Sequence, residues 1–249
     1  MTENYSEEQK MIPKTIYYVW FGSNPLPLEY KEYIKGWKKL NPDFQIKCIN
    51  ESNFDVNKYR FTKEAYKAKK WAFVSDVARL EVIYNNGGIY LDTDVELLKP
   101  LDSLLKYKSV WALENSDSIN SGLIIGAEKE NRDIKNILRI YKNLSFDNPN
   151  GVNIITVSII SDYFLKHGFV RKNKLQVINN DTLILPVEYF APLHYWGGGH
   201  VTKRTMGIHR YGASWQSKEM PGFFSKFAMK REAKLIFPTV YFMLKDIFR

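Results

Sequence analysis

Between residues 61 and 95 a helix-patterned stretch passes through two glycines into an apolar run that ends in carboxylates: Gly87-Gly88-Ile89-Tyr90-Leu91-Asp92-Thr93-Asp94-Val95. Over 61–86 the apolar residues Phe73, Val77, Leu80 and Tyr84 recur at helical spacing. Gly87 suits a helix C-cap, and the residues after it read as a strand. Alternate side chains of a strand share a face, so Tyr90, Asp92 and Asp94 are expected to point one way. Two neighbouring carboxylates repel and are costly to bury unpaired. They are either solvated at a loop before Glu96 or arranged around a cation.

The flanking sequence supplies the frame. Thr15–Phe21 is a β-branched and aromatic run, 27–40 is helical and stops at Asn41-Pro42, and 44–49 is a second strand. Further strands are expected at 109–114 and 121–126, and helices at 130–144 and 154–167. Such alternation indicates an α/β fold with a mostly parallel sheet. Ligands of open α/β sheets bind beyond the carboxyl ends of the strands, where Asp92 and Asp94 fall. Oxygen ligands there suit Mg²⁺ or Mn²⁺ completed by substrate phosphates. In the preceding helix, Asp76 and Arg79 are spaced i, i+3. They form either an ordinary surface ion pair worth about 0.2–0.5 kcal/mol or a pair facing the same crevice.

Composition excludes some classes. The 249 residues are 45% hydrophobic and 15% aromatic, enough for a sizeable core, with a formal net charge of +9. A basic balance suits nucleic acid, an anionic membrane or a phosphorylated ligand. No zinc-finger spacing or RNA-binding signature accompanies it, so nucleic acid is not an expected partner. Cys48 is the only cysteine, which rules out an intramolecular disulfide and fits a reducing compartment. The opening MTENYSEEQK lacks the apolar core of a signal peptide, and no uncharged apolar run approaches the ~20 residues of a membrane span. A cytoplasmic location is the expectation.

The run A-x-x-S-D-x-x-R at 72–79, followed by GGIYLDTDV, resembles the signature of glycosyltransferase family 32. That family is similar in its core to the glucosylating bacterial toxins. Ile12-Pro13-Lys14-Thr15-Ile16-Tyr17-Tyr18-Val19-Trp20 resembles the family's opening I-P-K-x-I-H-x-x-W. His209-Arg210-Tyr211-Gly212-Ala213-Ser214-Trp215 resembles its closing H-x-x-x-x-S-W. The resemblance implies a GT-A fold and retaining transfer from a nucleotide-sugar, assisted by Mn²⁺ or Mg²⁺; a UDP-hexose is the first donor to expect and GDP-mannose the second. It implies Asp94 as a direct metal ligand, Asp92 as a carboxylate serving the ribose and the metal shell, and His209 as a candidate to complete that shell. Asp76 and Arg79 match groups that hold the donor sugar, Tyr90 an aromatic lining its pocket, and Val19 and Trp20 the strand end beside the base. The resemblance further implies Ser214 and Trp215 as candidates to contact the diphosphate and glycosidic oxygen. Two departures stand out: Tyr17 replaces a frequent histidine, and Gly151-Val152 replaces a G-P pair.

Other candidates are less specific. Asn120-Ser121-Gly122 lines the donor pocket or forms a plain turn. Gly197-Gly198-Gly199-His200 is a loop over the donor or a flexible connection. Glu114 stands at a strand end as a conceivable catalytic carboxylate, His167 reads as a helix-end residue, and His194 has no clear role. The expected organisation is a flexible arm at 1–12, a catalytic domain at 13–220 and a basic amphipathic segment at 221–249. The last is suited either to an anionic membrane interface or to packing on the core. The leading expectation is extension of a bacterial surface glycan, such as capsule, O-antigen or exopolysaccharide, on an acceptor that is possibly lipid-linked. A toxin-like transferase acting on protein is the same-class alternative. A metal-dependent nucleotidyl or phosphoryl transferase is the alternative from another class, though Phe21-Gly22-Ser23-Asn24-Pro25 is not a phosphate loop.

Overall fold

The computed structural model describes residues 12–148, 151, 154–179, 181–193 and 198–212. The chain opens with β1 (Thr15–Val19), α1 (Leu28–Leu40) and β2 (Gln45–Ile49). Strand β1 is buried on both sides of its pleat at Ile16, Tyr17 and Val19 and pairs in parallel with β2. Two helices follow, α2 (Arg60–Lys67) and α3 (Trp71–Asn86), where a single one was expected over 61–86. Lys69 takes a left-handed backbone, φ 55°. Lys70 N donates to Ala65 O at 2.9 Å and Lys69 N to Tyr66 O at 2.9 Å, the paired bonds of a Schellman stop. Glycine usually fills that position and signals it. Here a lysine does, which hides the break.

Helix α3 ends at its Gly87 cap and passes into β3 (Gly88–Tyr90) and β4 (Val95–Leu97). The expected strand through Asp94 is therefore interrupted. Leu91 N still bonds Tyr17 O at 3.1 Å, but Asp92 N turns to Gly122 O at 3.0 Å, and Val95 N closes a turn onto Asp92 O at 3.1 Å. The aspartates lie on this turn, not along one strand face. Downstream come β5 (Ser109–Asn115), β6 (Ser118–Ile119) and β7 (Ile125–Ala127). Strand β7 starts later than the expected 121–126, because Asn120–Gly122 is committed to a turn that receives Asp92.

Helix α4 (Arg132–Lys142) starts at Asn131, whose side chain accepts from Asp133 N and Ile134 N. After α5 (Thr156–Leu165) the chain adds β8 (Gln176–Ile178), β9 (Thr182–Leu185) and finally β10 (Gly207–His209). The main sheet has the order β2-β1-β3-β7-β5-β9-β8, with β6 on β5. Strands β2, β1, β3, β5 and β9 run one way, while β7 and β8 run against them. Strands β4 and β10 form a separate antiparallel pair in which His209 lies opposite Val95. Ile12, the last residue of the expected flexible arm, is a core residue at 1% exposure, and its N–H bonds Leu105 O at 3.0 Å.

Candidate active site

Helix α3 is buried around most of its circumference: Val74, Val77, Ala78, Leu80, Val82 and Ile83 are all inaccessible or nearly so. Arg79 is buried with them at 6% exposure, so the pair it makes with Asp76 is not a surface pair. A charge in that position requires partners for every donor. Arg79 Nε donates to Ser75 O at 3.2 Å, Nη1 to Ser121 Oγ at 3.4 Å and Nη2 to Ser75 Oγ at 3.2 Å. The same Nη2 lies 3.2 Å from Asp76 Oδ1 and 3.3 Å from Asp92 Oδ1. The guanidinium carbon is 4.8 Å from the Tyr90 ring centre, a cation–π contact. Arg79 thus joins the helix to the aspartate turn.

That turn is held from several sides. The Tyr90 hydroxyl donates to Asp92 Oδ1, and the Trp37 indole of α1 donates to Val95 O at 2.7 Å. A Cβ on Gly122 would stand 2.2 Å from Asp92 Oδ2, so only glycine lets this backbone approach the carboxylate. The β4–β10 pair brings the far end of the chain to Asp94. Arg210 N donates to Asp94 O at 2.9 Å, and Gly212 N to Asp94 Oδ2 at 2.8 Å. His209 Nε2 is 3.2 Å from Asp94 Oδ1 and 3.9 Å from Asp92 Oδ2.

These contacts set the ionisation states. Burial alone would raise Asp92, but Arg79, His209 and Tyr90 hold it well below the usual carboxylate range. Burial alone would lower His209, yet Asp94 and Asp92 raise it to about 10. Asp76 goes the other way: burial raises it to about 6, against the opposing pull of Arg79 and a hydrogen bond from Thr156. Thr156 in turn meets the Tyr141 hydroxyl at 2.7 Å. Burial pushes the Tyr90 phenol far up, so it remains a donor.

Asp92, Asp94 and His209 each offer one ligand atom, and all three atoms lie within 4.8 Å of one another. Carboxylate oxygens and an imidazole nitrogen form a set that Mn²⁺ or Mg²⁺ accepts. The two carboxylates converge on one point and raise His209, so the geometry favours positive charge there, which a divalent ion would supply. The residues fit the ion.

The chain matches, over residues 27–111, the family described as a glycosyltransferase sugar-binding region containing the DXD motif. Over that stretch the chain is similar to the DXD-containing glycosyltransferases. The matched region runs from α1 through the Asp92–Asp94 turn into β5. The chain is 30% identical over 149 residues to inositol phosphoceramide mannosyltransferase 3 of Schizosaccharomyces pombe, covering 58% of this chain and 41% of that protein. It is 28% identical over 134 residues to initiation-specific alpha-1,6-mannosyltransferase of Candida albicans, covering 50% and 34%. It therefore spans well under half of these relatives. The solved structure of PaToxG Glycosyltransferase superposes with a TM-score of 0.51 at 17% identity, covering 63% of this chain and 70% of the other. The fold is GT-A, a mixed α/β architecture.

The geometry joins Asp76, Arg79, Tyr90, Asp92, Asp94 and His209 in one cluster. Val19 ends β1, and Trp20 follows it, edge-on to Tyr30 at 6.1 Å. Asn120 accepts from Gly122 N at 2.8 Å and so shapes the turn under Asp92. Ser214, Trp215 and His194 lie outside the described residues, as do 1–11 and 213–249. His167 bonds Tyr163 O at 2.7 Å at the end of α5, as a helix-end residue does. Sequence reasoning missed Ser75 and Ser121 as partners of Arg79, Thr156 as a partner of Asp76, and Gly212 as a donor to Asp94. Ser75 stands inside the A-x-x-S-D-x-x-R run, Ser121 inside Asn120-Ser121-Gly122 and Gly212 inside the closing motif, so each had a positional signal but none for its partner, whereas Thr156 had no signal. Ser121, Thr156 and Gly212 reach their partners from distant positions in the chain.

Proposed function

We propose that the protein is a metal-dependent, retaining glycosyltransferase that moves a hexose from a nucleoside diphosphate sugar to a growing surface glycan. The observation that carries this reading is the convergence of Asp92, Asp94 and His209 beside a buried Arg79–Asp76 pair. Asp92, Asp94 and His209 hold Mn²⁺ or Mg²⁺, which supplies positive charge that offsets the charge of a diphosphate leaving group. Arg79, fixed in place by five contacts, presents a cationic wall and orients Asp76 and Asp92. Asp76, at 17% side-chain exposure, accepts hydrogen bonds from sugar hydroxyls. Trp20 and Val19 border the base, and the family resemblance makes Ser214 and Trp215 the candidates to contact the diphosphate.

Both relatives are named for mannosyl transfer, which favours mannose as the sugar over the UDP-hexose first expected. Retention and the capsule, O-antigen or exopolysaccharide acceptor rest on the family resemblance alone. A cytoplasmic location at the inner face of the plasma membrane suits the single cysteine. The test is a panel of UDP-hexoses and GDP-mannose, assayed for donor hydrolysis with and without Mn²⁺. Hydrolysis of one donor that requires the ion supports the proposal. Pyrophosphate release from nucleoside triphosphates, with no sugar nucleotide consumed, would instead identify a nucleotidyl transferase.

A further inference from the structure

Strand β8 is an edge of the main sheet and runs against β9, so its first residue, Gln176, lies opposite Ile184 near the carboxyl end of β9. The loop entering β8 is therefore on the same end of the sheet as Tyr90 and the aspartate turn. It is also built in. Gln176 accepts from Val170 N at 2.9 Å and donates to Val170 O at 3.0 Å and Lys172 O at 3.1 Å. Asn173 accepts from Val187 N at 2.9 Å, and Phe190, three residues on, receives His209 N at 2.9 Å.

On this frame three aliphatic side chains stand half exposed: Val170 at 48%, Leu175 at 49% and Val177 at 49%. Leu175 and Val177 flank the buried Gln176 and share a face. Residues 166–177 contain Lys166, Arg171, Lys172 and Lys174 and no acid. The acids nearest in sequence are Asp162 on α5 and Asp181, which pairs with Lys108. Among the described residues no ion pair engages Lys166, Lys172 or Lys174. Exposed aliphatic side chains interspersed along the chain with exposed lysines match the headgroup–acyl boundary of an anionic bilayer. A nucleic-acid surface would favour aromatic platforms over aliphatics.

We propose that residues 166–177 dock on an anionic lipid surface, turning the catalytic end of the sheet toward the membrane. This contact is separate from any made by residues 221–249, and it brings the site to a lipid-linked acceptor if the proposed function holds. The test does not depend on that function. The full-length Cys48→Ser, Leu175→Cys protein is labelled with an environment-sensitive fluorophore and mixed with phosphatidylglycerol-containing or pure phosphatidylcholine vesicles. The expected result is a blue shift and a severalfold intensity gain on anionic vesicles alone, reversed by high salt. Lys166→Glu, Lys172→Glu and Lys174→Glu together should weaken vesicle partitioning on the order of a hundredfold. A label that stays water-exposed overturns the proposal, whether the protein remains in solution or binds through another segment. So does a loop that binds RNA but not vesicles.

Discussion

Arg79 gives its guanidinium to Asp76 and Asp92 at once, so the planar fork and not merely the charge sets the spacing between helix and turn. Arg79→Lys should retain metal-dependent nucleoside diphosphate binding by calorimetry while donor turnover falls about a hundredfold. Equal loss of both would make Arg79 a structural residue only. Asp94→Ala removes a ligand that His209, Arg210 and Gly212 all help to hold, and turnover should drop at least about a hundredfold with the melting temperature little changed. Asp76 carries a stability consequence with a definite sign. Its folded value, about 6, lies above the ordinary 3.8, so the native state binds the proton more tightly than the unfolded chain does. That contribution is full below about 3.8 and is lost as pH rises through 6. Asp76→Asn should therefore raise stability at pH 8 by about 1–3 kcal/mol, with no such gain at pH 4, while turnover collapses. Denaturant melts at the two pH values check it.

At the scale of elements, the site was legible where chemistry sat in one continuous stretch and hidden where it came from elsewhere. The α3–β3 passage, its Gly87 cap and the pairing of Asp76 with Arg79 all follow from local pattern. The end of β3 at Tyr90 does not, because it is decided by Gly122 O capturing Asp92 N from a turn thirty positions downstream. Likewise, the helix break at Lys69 carries no glycine to announce it. That position offers a direct test: a non-glycine residue at φ 55° is strained, and Lys69→Gly should relieve it. The expected gain is about 0.5–1 kcal/mol in denaturant unfolding, with donor turnover unchanged. A loss of stability would mean that the lysine side chain contributes more than its backbone costs.

Across the whole molecule, Asp92 and Asp94 belong to the first half of the chain and His209 and Gly212 to its later part. A divalent ion bound by all three ligands therefore ties the β4–β10 pair together and favours the folded state. At a hundred times its dissociation constant the ion should add about 2.7 kcal/mol, visible as a rise in melting temperature that Asp94→Ala abolishes. The order of the segments was readable from the three motifs, but their meeting in space was not, since no periodicity reports which distant strands will pair. The β4–β10 pairing also has a consequence in time. Gly212 follows Asp94 by 118 positions, and at translation rates of about 5–20 residues per second that gap is roughly 6–24 s. Throughout that interval a nascent chain on the ribosome displays both aspartates without the histidine that completes them. Ion capture by all three residues would thus be deferred until the chain has been made through His209, and an abortive product ending before residue 207 would carry the strands of the main sheet but only two of the three candidate ligands.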